Sequence, residues 1–161
     1  MHFQRFALLL IAVSVGTSTA LAQHVSAGST VTRDVNLPAV GLASSETAQI
    51  NVVNLASASS SGTTASCTGT ITFYNASGSA IGSTTSFTIG TGQISSASLP
   101  YSDTGATGRT SIRGVVTLTE TAGSGVPCAL ASDIETYDAA TGVTHVHAGG
   151  TAARGTGPGG H

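Results

Sequence analysis

Cys67-Thr68-Gly69-Thr70-Ile71-Thr72-Phe73-Tyr74-Asn75-Ala76-Ser77-Gly78 is the stretch that decides the fold class. In an extended chain Cys67, Gly69, Ile71 and Phe73 share one face, and Thr68, Thr70, Thr72 and Tyr74 share the other. A helix would scatter the same apolar set around its circumference, whereas a strand beds it in a core. Asn75-Ala76-Ser77-Gly78 supplies turn formers, and Ala80–Ile89 returns with Phe87 and Ile89 as its core candidates, so the spacing predicts a hairpin.

The two-residue repeat recurs on both sides of this hairpin. Upstream, Ser29–Asn36 alternates moderately and is followed by Leu37-Pro38-Ala39-Val40, where Pro38 lacks a donor and argues for an edge or a strand end. Ala48, Ile50 and Val52 fall on one face, while Val53 and Leu55 continue on the opposite parity. This switch predicts a bulge near Val52 and Val53. Ser59–Thr64 reads as a loop. Downstream, Gln93–Leu99 is extended, Pro100 ends it, and Ser102–Gly108 reads as an exposed loop. Arg109–Leu118 places Ile112, Gly114, Val116 and Leu118 inward and Arg109, Ser111, Arg113, Val115 and Thr117 outward. After Gly123-Ser124-Gly125 and Pro127, the residues Cys128, Leu130, Ser132, Ile134 and Thr136 share the inner parity, with Asp133, Glu135 and Tyr137 outside. Asp138–Gly142 is a turn and Val143–His147 a short last strand. Past the first 22 residues no window carries a 3.6-residue apolar stripe, so the fold class is all-β, an immunoglobulin-like antiparallel sandwich of about seven to nine strands.

The chain opens with an export leader: Arg5 and His2 precede an apolar run from Phe6 to Val15, and Ala20-Leu21-Ala22 forms a small-residue cleavage site. Residues 1–22 are thus expected to be removed, leaving one β-sandwich domain over 23–147 and a flexible Gly-rich C-terminal tail over 148–161 that has no apolar anchor. The apolar run is shorter than the roughly 20 residues of a membrane span, and no later segment supplies one. The expected location is secreted, periplasmic or associated with the cell envelope. In such an oxidising compartment Cys67 and Cys128, absent from any C-x-x-C pair, are expected to form one disulfide.

Charge excludes a class of partner. Arg5 leaves with the leader, and Arg33, Arg109, Arg113 and Arg154 remain against seven acidic residues, with no lysine. Four scattered arginines do not make the clustered cationic surface that phosphates demand, so nucleic acid is not expected as a partner.

Thr47–Leu55 (T-A-Q-I-N-V-V-N-L), Cys67–Gly78, Ser86–Gln93, Ile112–Leu118 and the region Asp133–Val146 together resemble uncharacterised secreted bacterial proteins with an immunoglobulin-like sandwich. The resemblance lies in a pattern of strands and turns. It implies the fold class and carries no catalytic residue across. The buried tryptophan of antibody-type domains has no counterpart, because the chain contains no tryptophan.

Few residues invite chemistry. His145 and His147, two apart in a strand, are expected to leave one face and to offer two nitrogens to a metal, with Asp133 and Glu135 adding oxygens if their strand is the neighbour. The same two carboxylates, about 6–7 Å apart along a strand, overlap the spacing of a glycosidase acid/base pair, although only Tyr137 stands near them as a sugar platform. No G-x-S-x-G elbow and no phosphate-binding or dinucleotide glycine motif is present. Asn75-Ala76-Ser77 matches a glycosylation acceptor in a turn whose composition already explains it. No cofactor is expected. Without a catalytic cluster, the reading is a non-enzymatic exported interaction module whose partner is a protein or a surface glycan. The alternatives are a fimbria-like subunit donating Ser29–Leu37 as a strand, and surface-carbohydrate binding or hydrolysis.

Overall fold

The computed structural model describes residues 30–56, 66–121, 128–150 and 153–154. The leader, the loop at 59–64 and most of the expected tail lie outside these residues. The described chain forms two antiparallel sheets with no α-helix. The first contains β1 (Thr30–Asn36), β2 (Val40–Leu42), β4 (Cys67–Asn75), β5 (Ala80–Ile89) and β7 (Thr110–Thr121), in the order β1-β7-β4-β5 with β2 also on β7. The second contains β3 (Glu46–Asn54), β6 (Ile94–Pro100), β8 (Ala129–Asp138), β9 (Thr144–Gly149) and the two-residue β10 (Ala153–Arg154), in the order β10-β8-β3-β6 with β9 also on β8. This is an immunoglobulin-like β-sandwich.

Alternation dictates which residues meet between the sheets. Ile71, Phe73, Ile112, Val116 and Leu118 from the first sheet and Ala48, Ile50, Val52, Leu99, Leu130 and Ile134 from the second are all buried in one core. Two glycines at inward positions let the sheets and their side chains approach. A Cβ on Gly69 would sit 2.2 Å from the Thr117 carbonyl oxygen, and one on Gly114 would sit 2.3 Å from Ile50 Cδ1. The hairpin turn after β4 is held by Asn75, whose Oδ1 accepts hydrogen bonds from the Ser77 and Ser79 amides and the Ser77 hydroxyl.

Cys67 at the start of β4 and Cys128 just before β8 are both buried and form the disulfide, with their Cα atoms 5.6 Å apart, so the bond ties one sheet to the other. Glu120 reinforces this corner by meeting Arg33 of β1 with one oxygen and accepting the Cys128 amide at 3.0 Å with the other.

Several details differ from the sequence-based expectations. No bulge interrupts β3: its register with both β6 and β8 is continuous through Val53. Asn54, not Val53, takes the next inward position, and its buried amide donates to the Ile89 carbonyl at 3.2 Å and accepts from the Ala56 amide at 3.0 Å. A polar side chain can occupy the core there because its bonds are made, which leaves Leu55 57% exposed. Within the expected loop after Pro100, Tyr101–Thr104 form a single 3₁₀ turn. The last strand runs on to Gly149, Ala148 packs against the core, the Gly150 amide bonds the Ser132 carbonyl, and β10 pairs with β8. The segment expected as a strand donor, β1, is paired with β7 of its own chain along its whole length.

Candidate functional site

Of the residues singled out for chemistry, Asp133, Glu135 and His147 lie on the outward face of the second sheet, while His145 turns to Glu46 at the start of β3. Asp138 starts the tight turn that brings β9 back onto β8. Its carboxylate accepts the Ala140 and Thr141 amides and the Thr141 hydroxyl, which together hold its pKa below the ordinary value, the Thr141 hydroxyl being the largest cause. Gly142 then takes a φ of 72°, a conformation that costs glycine little. Pairing passes from Tyr137 opposite Thr144 to Thr136 opposite Val146, so His145 is the extra residue of a bulge.

This bulge breaks the two-residue repeat on which a shared histidine face depended, and the two imidazoles meet different carboxylates. His145 Nδ1 lies 2.5 Å from Oε1 of Glu46, whose other oxygen accepts the Ala43 amide at 2.7 Å. The His145 hydrogen bond is the main reason the Glu46 carboxyl titrates below its ordinary value. The Ala43 amide and the charges of His145 and Arg109 add to the effect, and desolvation opposes it. His147 sits in register with Glu135 and places Nε2 3.6 Å from Asp133 Oδ1. Among the described residues no three His, Cys, Asp or Glu side chains converge as a metal ion requires.

Asp133 and Glu135 belong instead to a polar network that crosses four strands. Its centre is Asn51 on β3, whose Oδ1 accepts from Gln49 Nε2 at 2.8 Å and from Ser96 Oγ of β6 at 2.7 Å. Asn51 Nδ2 donates to Asp133 Oδ1 at 3.0 Å and to Glu135 Oε1 at 3.4 Å. Ser98 Oγ donates to Gln49 Oε1 at 3.3 Å, and Thr144 Oγ1 donates to Glu135 Oε2 at 3.3 Å. Tyr137 follows on the same strand parity, and at the far end Val53 is paired with Ile94, which is 66% exposed. The face is therefore graded from a tyrosine, through amides and carboxylates, to an aliphatic end.

An acid/base pair works on a substrate held between its members, with one group bearing a proton. Here both carboxylates lie on one strand of an open sheet and accept bonds from the same amide. One shallow depression among the described residues, of about 280 Å³, is lined by residues that include Asn75, Ser111 and Arg113 and has no acidic side chain in its lining. Arg113 lies over the Tyr74 ring at 4.7 Å beside it, which explains its place at the rim without a ligand.

Scanned against protein-family models, curated proteins and solved structures, the chain matches none. Two participants, Gln49 and Asn51, were visible in the sequence only as the polar parity opposite Ala48, Ile50 and Val52. Glu46 carried no local signal at all, because its partner His145 stands 99 residues away.

Proposed function

We propose that this chain is a non-catalytic interaction module of the cell envelope or extracellular space, and that it recognises a hydroxyl-rich partner such as a surface glycan through the outer face of the second sheet. The observation that supports this reading is the network centred on Asn51. Amide and carboxylate groups are fixed at known spacing on the half-exposed outer face of the sheet, where a polyol can exchange hydrogen bonds with them and a sugar ring can lie against Tyr137. The export part of the proposal rests on the leader at residues 1–22, which lies outside the described residues. Among the described residues no helix is long and apolar enough to cross a membrane.

A glycan array followed by turnover assays on any bound sugar tests the proposal. The expected result is binding without turnover, weakened about tenfold or more by Asn51→Ala, as loss of a hydrogen bond to a charged group implies. Turnover abolished by Asp133→Asn or Glu135→Gln in a folded protein would make the chain a hydrolase instead. Absence of binding to every glycan would leave a protein partner for the same face.

A further inference from the structure

The sheet edges are treated unequally. An exposed edge offers unpaired N–H and C=O groups to any passing strand, and proteins guard against this with charge, bulges, proline or very short strands. At one side of the first sheet β1 carries Arg33 and Asp34, and β2 is only three residues long. At one side of the second, β9 carries two histidines and a bulge, and β10 is two residues long. On the opposite side of the sandwich the edges are β5 and β6, and no Asp, Glu, Lys, Arg or His occurs between Thr47 and Ser102. β5 is interrupted: its register with β4 shifts between Ile71 and Phe73, and Gly82 takes a φ of 66°. β6 has neither charge nor bulge, and its register with β3 is unbroken over Ile94–Pro100. Its one guard is Pro100 at the end.

The orientation of the β6 backbone follows from two hydrogen bonds. The Asn54 amide donates to the Gln93 carbonyl, and the Leu55 amide donates to the Ala129 carbonyl, so alternate residues address β6 and β8. Carried along the ladder, this alternation turns Ser95, Ala97 and Leu99 toward β3 and points the N–H and C=O groups of Ile94, Ser96 and Ser98 away from it. Among the described residues no strand pairs with β6 on that side.

We infer that β6 is a self-association edge and that its occupant is the β6 strand of a second copy of this chain, paired antiparallel about a two-fold axis at Ser96. A second copy is favoured because the edge is complementary to itself. With Ser96 opposite Ser96, Ile94 opposes Ser98 on each side, all three outward N–H groups find carbonyls, and Pro100, which has no N–H to give, falls beyond the paired residues. No like charges meet. The pairing joins the second sheets of the two copies edge to edge and sets their Asn51-centred faces side by side, so two weak contacts to a repeating ligand act as one stronger one. Seven residues of edge fall short of the roughly 1,200–2,000 Å² of a stable interface, so the dimer is reversible and concentration-dependent.

Sedimentation equilibrium on the protein, purified as the cell accumulates it, tests the inference. The expected result is a monomer–dimer equilibrium whose dissociation constant rises at least about fivefold in Ser96→Lys, because the substitution sets two like charges directly opposite each other. Ser86→Lys adds the same charge on the β5 edge and is expected to leave the equilibrium unchanged. Asn51→Ala removes the hydrogen-bond partner of Ser96 and is expected to keep the dimer while weakening ligand binding, which separates this inference from the glycan reading. A monomer at every concentration overturns the proposal. So does a dimer that Ser96→Lys leaves intact while circular dichroism shows the fold retained, and so does an equal response to Ser86→Lys.

Discussion

Glu46 gains its role from position. It begins β3 at one end of the sandwich, where one carboxylate oxygen takes the amide of the preceding turn and the other takes the imidazole of β9. Its side chain is only 11% exposed, so the charge is sustained by partners more than by water. Because these partners favour the ionised form, the folded pKa lies below the ordinary value of 4.5, and the unfolded chain takes up the proton first as pH falls. The stability that ionisation contributes is therefore fully present above that ordinary value and is lost as pH drops through the lower folded one. Thermal melts of wild type and Glu46→Gln are expected to differ by a few degrees near neutrality and to converge as pH falls below the ordinary carboxylate value and through the lowered folded one. A difference that holds constant across the same range would mean that size or packing, and not the charge, accounts for the effect.

At the scale of a strand, parity was legible and its exceptions were not. Cys67, Ile71 and Phe73 in β4, Ile112, Val116 and Leu118 in β7, and Cys128, Leu130, Ser132, Ile134 and Thr136 around β8 all face inward as their alternation predicts, because water excludes one face of each strand and no neighbour is needed to say which. In β3 the expectation of a bulge rested on treating Asn54 as an outward residue. What places it inward is the Ile89 carbonyl at the end of β5, a partner the local sequence cannot reveal. The β8–β9 bulge is hidden for the same reason, since it is a property of a pair of strands. Asn54→Ala tests the account of β3. Removing the amide leaves the buried Ile89 carbonyl and Ala56 amide short of a bond, and urea unfolding is expected to show a loss of roughly 1–3 kcal/mol. A loss within a few tenths of a kcal/mol would show that water serves those groups equally well.

Across the whole molecule, hydroxyls and amides stand where most domains place charge. Between Thr47 and Ser102 no side chain is charged, so the outer faces there are held by neutral bonds such as Thr68 to Thr88 and Thr72 to Thr84, and the ion pairs sit at the opposite side and the ends. Exposed neutral bonds contribute little net stability each, which puts weight on the core and on its single covalent tie. The Cys67–Cys128 bond closes 61 residues and joins β4 of one sheet to the segment entering β8 of the other. On the chain-entropy account such a closure stabilises the fold by about 4 kcal/mol, a large share of the roughly 5–15 kcal/mol net stability of a domain. Complete reduction is expected to lower the calorimetric transition by on the order of 15 °C. The two-sheet architecture predicts which part fails first: hydrogen exchange should accelerate earliest at Cys128–Leu130, where Glu120 and the disulfide hold the strand to the first sheet, while β3, flanked on both sides, keeps its protection longest. An unchanged transition temperature with both thiols shown to be free would mean that the core and the Glu120 contacts hold the sheets together without the bond.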